Sequence, residues 1–256
     1  MGTLFCLNVG CADTTVIKTD KNDYFMIDCY DYLVFKAYLP ADKHIKALFI
    51  THQHYDHFKG MEDLIENRYT IDYLIYSPYD RRYGDNSVEY DEWQDFNTFS
   101  NHFAKKGTKV YKPYRQDELK EPWWQPSGLK IWMYGPEKGI AKSDTRELHD
   151  ACLVFGIETK TRTCLFTGDA TDINLNYIAH HTKNMCNDIL HASHHGSING
   201  ADLDFIKKCA AKYTVISTKP GVHDSIPHST ALRRYNDNTS VEVYRTDKNG
   251  TLKFNF

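Results

Sequence analysis

Ala47-Leu48-Phe49-Ile50-Thr51-His52-Gln53-His54-Tyr55-Asp56-His57-Phe58-Lys59-Gly60 is the stretch whose reading decides the rest of the chain. It opens as an apolar run, Ala47 to Ile50, long enough for one buried strand. Three histidines and an aspartate then follow within six positions. Imidazoles and a carboxylate crowded at the end of a buried strand repel one another when protonated and lose solvation when unpaired. A divalent cation relieves both costs. Neutral imidazole nitrogens and a carboxylate oxygen are the usual ligands of zinc and also suit iron or manganese.

Spacing adds geometry. His52 and His54 alternate, so an extended turn aims both at one point. Asp56 and His57 are adjacent and point elsewhere, toward a second ion close by. Two ions roughly 3.5–4 Å apart form a hydrolytic clamp in which a bridging water is the nucleophile. This differs from the His-Glu-x-x-His helix of metalloproteases, whose histidines one turn apart share a single ion.

His52-Gln53-His54-Tyr55-Asp56-His57 resembles the H-x-H-x-D-H signature of the metallo-β-lactamase superfamily. The resemblance implies an α/β (α+β) architecture, an αββα sandwich of two mixed sheets flanked by helices, with one or two metals at one edge of the sheets. Further segments resemble the hydrolase domain of ComEC-type competence proteins, which import DNA. Thr163-Cys164-Leu165-Phe166-Thr167-Gly168-Asp169 matches a strand ending in Gly-Asp, and the resemblance makes Asp169 the carboxylate shared by both ions. His194-His195-Gly196-Ser197 matches that branch's H-H-G-S, implying that His194 completes the second metal site while His195 supports it or packs nearby. A histidine just before the hairpin, His149, completes the first site in many relatives. Asp28, ending the third strand, is implied to orient a histidine ligand. Ile226-Pro227-His228-Ser229-Thr230 resembles the family's Y-G-H-P turn without its Tyr and Gly. The opening loop also departs, with Asn8 for the first Asp and Cys11-Ala12 for Gln-Gly of D-V-G-Q-G-D.

Bulk properties agree with an enzyme domain. The chain has 256 residues, 41% of them hydrophobic, enough for a substantial core in one domain spanning 1–256 with a helical and loop insert at about 79–127. A net charge of −3 gives no global attraction to nucleic acid, which argues against a wrapping binder but not against an enzyme that grips a few phosphates through metals. Seven scattered cysteines do not read as a disulfide framework, and those in apolar runs read as small buried hydrophobes. Without a leader-like N-terminus or a run of roughly 20 apolar residues, the expected location is the cytoplasm, with no membrane partner.

Local patterns predict strands at 4–8, 14–18 and 24–27 as an antiparallel meander, then a helix at 31–39 ended by Pro40. Helices are expected at 60–68, 88–104, 171–181 and 202–208, and strands at 71–76, 109–111, 129–134, 188–191 and 213–217. The stretch 112–128 reads as a loop able to wall the cleft. Val241 to Arg245 and Thr251 to Phe256 read as a closing hairpin.

The expected function is a metal-dependent hydrolase, a phosphodiesterase or nuclease acting on DNA, RNA or a small nucleotide. One ion is held by His52, His54, His149 and Asp169, and the other by Asp56, His57, His194 and the shared Asp169. Zinc is the first expectation, with manganese or iron as alternatives. Asp56 and His228 are the expected catalytic residues, His228 protonating the leaving oxygen or binding the phosphate. A lactone, thioester or amide hydrolase is the alternative; metal-based redox chemistry and a metal-free binding module rank lower. Nothing in the sequence identifies a protein partner.

Overall fold

The computed structural model describes residues 1–185, 188–223 and 225–256. Its organising strand shows why the sequence folds as it does. In β4 (His44–Ile50), Ala47 and Phe49 face a core between two sheets, while Leu48 and Ile50 face a second core beneath helices. A strand covered on both sides needs apolar residues in sequence rather than in alternation, as Ala47 to Ile50 supply.

Around β4, the described residues form a seven-stranded sheet that also contains β1 (Thr3–Cys6), β2 (Thr15–Lys18), β3 (Tyr24–Ile27), β5 (Thr70–Tyr76), β6 (Lys109–Tyr111) and β13 (Leu252–Asn255). Its order is β13-β1-β2-β3-β4-β5-β6, antiparallel up to β3 and parallel from β3 onward. The second sheet has six strands, β7 (Lys130–Gly135), β8 (Val154–Glu158), β9 (Thr163–Phe166), β10 (Ile189–His191), β11 (Tyr213–Ile216) and β12 (Glu242–Arg245), in the order β12-β11-β10-β9-β8-β7. Its first three strands pair antiparallel and its last four parallel. The inner faces pack through Phe49 and Phe155, whose rings stack with centroids 4.7 Å apart.

Helices cover both outer faces. Beside the first sheet, Phe35 of α1 (Tyr32–Phe35), Met61 and Leu64 of α3 (Gly60–Glu66), and Phe96 and Phe103 of α4 (Tyr90–Lys105) share a core with Leu48 and Ile50; α2 (Tyr55–Phe58) caps the metal loop. After the short α5 (Lys138–Lys142), the second sheet is covered by α6 (Asp172–His181), α7 (Leu203–Cys209) and α8 (Ser229–Asn238). This is the αββα sandwich expected from the sequence. Residues 79–127 contribute α4 to one helical layer and β6 to the first sheet.

Two expectations are corrected. The last two strands do not form a hairpin. One helical turn, α9 (Thr246–Asn249), separates them; β12 joins the second sheet beside β11, and β13 joins the first beside β1. Short apolar strands carry no record of their partner, and a sandwich lets consecutive strands part between layers. The helix expected at 31–39 is one α-turn followed by a 3₁₀ turn at Lys36–Tyr38. Among the described residues no helix is long and apolar enough to cross a membrane.

Candidate metal centre

The parallel strands β4, β9 and β10 end on one edge of the sandwich, where ligands bind in open α/β sheets. Thr51–His57 follows β4, Thr167–Asp169 follows β9, and Ser193–Gly196 follows β10. His149 arrives on the one-turn 3₁₀ helix Leu148–Ala151, just before β8. That turn is pinned by Asp150, which accepts from Glu147 N and from Thr171 Oγ1.

Gly168 makes the close approach possible. Its φ is +48°, and a Cβ there would lie 2.5 Å from Thr51 and 2.6 Å from Cys152 Sγ, so any side chain would push Asp169 away from the β4 loop.

Asp169 is the hub. Its Oδ1 lies 3.3 Å from His57 Nε2, and its Oδ2 lies 3.9 Å from His52 Nε2, 4.0 Å from His149 Nε2, 3.8 Å from His194 Nε2 and 3.6 Å from His195 Nε2. Two groups of potential ligands meet there. In one, His54 Nδ1 stands 3.2 Å from His52 Nε2 and 3.1 Å from His149 Nε2. In the other, Asp56 Oδ2 stands 3.8 Å from His57 Nε2 and 3.2 Å from His195 Nε2. Ligands about 2.0–2.2 Å from a tetrahedral zinc lie roughly 3.3–3.6 Å from each other, so both groups fit a cation of that size.

Outer hydrogen bonds reinforce the fit, because each occupies one nitrogen of a ring and leaves the other to face the centre. His57 Nδ1 must donate to Asp28 Oδ2 at 2.8 Å, His54 Nε2 to Ser87 O at 2.9 Å, and His195 Nδ1 to Ser217 O at 3.0 Å. Thr51 Oγ1 gives its proton to Asp28 Oδ2, so toward His52 Nδ1, 3.3 Å away, it can only accept. Outer hydrogen bonds of this kind orient imidazoles as ligands. His57 Nε2 and Asp169 Oδ1 are buried and have no hydrogen-bond partner among the described residues, a cost that a shared cation removes.

The electrostatics divide the site. Burial alone would raise the Asp169 carboxyl, but His195, His57 and His194 hold it well below the carboxylate range. Asp56 is likewise opposed by burial yet brought down to about 2 by His57 and His195. Burial disfavours the charged form of His57, and Asp169, Asp56 and Asp28 overcome it, holding this ring well above an ordinary histidine. In the other group, burial pushes His149 down to about 3, and burial together with His57 pushes His52 well down. One half thus draws positive charge while the other keeps neutral nitrogens, and cation binding uses both.

The structure gathers His52, His54 and His149 in one group and Asp56, His57 and Asp169 in the other, but it places two neighbours differently from the expectation. His195, not His194, lies with Asp56, His57 and Asp169, whereas His194 lies with His149 and Asp169. Both have φ of +52°, and this double left-handed turn sends His195 inward, its side chain 2% exposed, and leaves His194 at the mouth at 21%. Adjacency in sequence carries no such directional information. His228 belongs to none of these groups among the described residues. It caps α8, its Nδ1 accepting from Thr230 N, while its backbone N–H donates to Gly196 O beside the His194–His195 turn.

Asp13 and His191 were not anticipated. Asp13 is buried, with Oδ2 3.9 Å from His57 Nδ1 and Oδ1 3.7 Å from His191 Nε2 and 3.8 Å from His195 Nδ1. The available signal was an aspartate directly before a strand in the same opening loop that departs from the family pattern. A cleft of about 570 Å³ adjoins the centre at His149 and Ser87, lined also by Arg82, Asp85, Arg146 and Glu147. The cleft wall here comes from residues 82–87 and 144–149. Residues 112–128 run along β7 instead, with Trp123 N donating to Ile131 O and Ile131 N donating to Trp124 O. Arg115 donates to Tyr134 O, His181 O and Thr182 Oγ1.

No protein-family model matches the chain. Over 214 residues, 84% of its length, it is 24% identical to ComE operon protein 3 of Bacillus subtilis (strain 168), of which it spans 25%. The chain therefore covers about a quarter of that relative. In three dimensions it is similar to the metallo-β-lactamase fold protein YhfI from Bacillus subtilis, with a TM-score of 0.60, 15% identity and 99% of each chain covered. It is also similar to CmlA, a diiron β-hydroxylase from Streptomyces venezuelae, with a TM-score of 0.62 and 13% identity over 100% of this chain and 54% of that one. The chain has the metallo-β-lactamase fold.

Proposed function

We propose that this metallo-β-lactamase-fold chain is a two-metal hydrolase of phosphodiesters, its substrate being DNA, RNA or a small nucleotide. The observation that carries the reading is Asp169, one carboxylate within 4.0 Å of imidazole nitrogens from both ligand groups. His52, His54 and His149 would hold one divalent cation, Asp56, His57 and His195 the other, and Asp169 both. When bound, such a pair supplies Lewis-acid charge and a water acidic enough to act as a nucleophile near neutral pH.

The chain's own residues do the rest. Asp28 fixes the His57 ring and, through Thr51, the His52 ring, so the cluster keeps its shape as charge changes within it. Arg82 and Arg146 line the adjoining cleft together with Asp85, Asp144 and Glu147, and Arg82 is paired with Asp144, so the wall offers a substrate both signs of charge. His228, whose Nδ1 accepts a backbone proton, carries its own proton on Nε2 and is thereby set to donate to a leaving oxygen or to bind a phosphate. We assign the metals as zinc first, with manganese or iron as alternatives, since an all-nitrogen-and-oxygen ligand set accepts each.

Metal-analysed protein assayed against bis(p-nitrophenyl) phosphate, single- and double-stranded DNA, RNA, cyclic nucleotides and a lactone panel tests the reading. Turnover of phosphodiesters that is lost in Asp56→Ala supports it. Turnover of lactones alone, or iron-dependent oxidation of the kind the diiron neighbour's name describes, contradicts it.

A further inference from the structure

The histidines of the first ligand group are not held alike. His52 has Thr51 Oγ1 behind its ring. No outer hydrogen bond reaches the ring of His149 among the described residues, and its Nε2 faces His54 and Asp169. Its place is therefore set by the 3₁₀ turn Leu148–Ala151 that carries it. The N–H groups that open a helical turn have no partner inside it, so whatever accepts from them decides where the turn sits.

Ser87, in the insert, meets both His54 and that turn. Its carbonyl oxygen accepts from His54 Nε2 at 2.9 Å, which leaves His54 Nδ1 turned toward His52 and His149, 3.2 and 3.1 Å away. Its hydroxyl oxygen accepts from Leu148 N at 2.9 Å, the first N–H of the turn that bears His149. The direction of that bond is fixed. Asp85 Oδ1, a carboxylate oxygen, takes the Ser87 hydroxyl proton at 2.7 Å, so lone pairs are what the hydroxyl offers Leu148.

Ser87 is itself well supported. Asp85 also accepts from Ser87 N at 3.0 Å and from the Tyr79 hydroxyl at 2.5 Å. Tyr79 is buried in one apolar cluster with Leu148 and Ala151 of the turn. Asp150 pins the turn from within and to Thr171, whereas Ser87 ties it to the side where His54 stands. One residue thus joins two ligands that are 95 positions apart. Ser87 and His149 also line the same cleft, so a wall that a substrate meets holds two ligands of one ion.

We propose that Ser87 is a positioning residue for the first cation: its carbonyl sets the His54 ring, its hydroxyl sets the turn that carries His149, and the pair of contacts raises the affinity for that ion. This role rests on the two-metal reading, but it concerns ion binding and needs no turnover to be seen.

Stepwise zinc affinities of the full chain, measured by competitive chelator titration, test it beside the melting of the chelated proteins. Ser87→Ala should weaken one of the two ions about 10- to 100-fold, as loss of an outer partner does, and leave the other at its parent affinity. Ser87→Thr keeps a hydroxyl at this half-buried position and should restore the parent value. Both chelated variants should melt close to the parent. Parent affinity for both ions in Ser87→Ala would show that Asp150 alone suffices, and it overturns the role of Ser87 while leaving the two-metal reading intact. An equal fall for both ions, no recovery in Ser87→Thr, or a Ser87→Ala chain that no longer folds would make the contacts merely structural and also overturns the role. A parent chain that binds no zinc overturns the two-metal reading itself, and the role of Ser87 with it.

Discussion

His195 Nε2 lies 3.2 Å from Asp56 Oδ2, a contact that joins residues 139 positions apart and closes the second ligand group. Its ring is fixed from behind by Ser217 O, so Nε2 is the nitrogen left to face Asp56 and Asp169. His194, one residue earlier, stands at the mouth beside His149.

This separation predicts different fates for the two histidines. His195→Ala should lower bound metal from two equivalents per chain toward one. His194→Ala should retain both ions and change turnover instead. Metal analysis of the purified variants by mass spectrometry distinguishes them, and loss of an ion from His194→Ala alone would reverse the assignment.

Asp28 touches no cation in this account but holds His57 at 2.8 Å and Thr51 through both carboxylate oxygens. Asp28→Asn should weaken metal binding about 10- to 100-fold while the protein stays folded, as for other outer partners of ligating histidines. Competitive chelator titration measures it. Parent affinity in the variant would mean that the ring is held by packing alone.

Gly168 tests the backbone that carries Asp169. Gly168→Ala meets Thr51 and Cys152 at closer than real Cβ contacts and adds a side chain at φ +48°. A cost of about 2–4 kcal/mol is expected in denaturant unfolding, combining overpacking with left-handed strain. A change below about 0.5 kcal/mol would show that the turn relaxes freely.

Acid stability of the chelated protein follows from His149, which burial pushes down to about 3. Between that value and the ordinary histidine pKa near 6.5, the unfolded chain binds a proton that the folded ring refuses, so stability falls as pH drops below about 6.5. His149→Gln removes this contribution and should lose about 2 kcal/mol less than the parent on acidification from pH 6.5 to 4.5. Parallel curves for the two chelated proteins would place His149 in water rather than in the cluster.

Much of this centre was legible because its densest part is local. His52, His54, Asp56 and His57 follow an apolar strand directly, and a loop that short cannot separate them far. Asp169 was readable from the Gly-Asp that stops β9, since Gly168 is required by the approach to Thr51. What sequence could not supply was direction. Two consecutive left-handed residues decide whether His194 or His195 turns inward, and no residue type announces such a turn when both are histidine. Asp13 and His191 escaped because their roles arise only where β1's loop and β10 meet. The final strands misled for the same reason, since β12 and β13 find partners in different sheets.

The shared carboxylate is the centre of the account, and metal analysis of Asp169→Asn beside the parent tests it most directly. The account predicts two divalent ions per parent chain and the loss of both, or all but a trace, in a variant that melts as a folded protein. A variant that keeps both ions, or a parent that binds none under saturating zinc, manganese or iron, would contradict it.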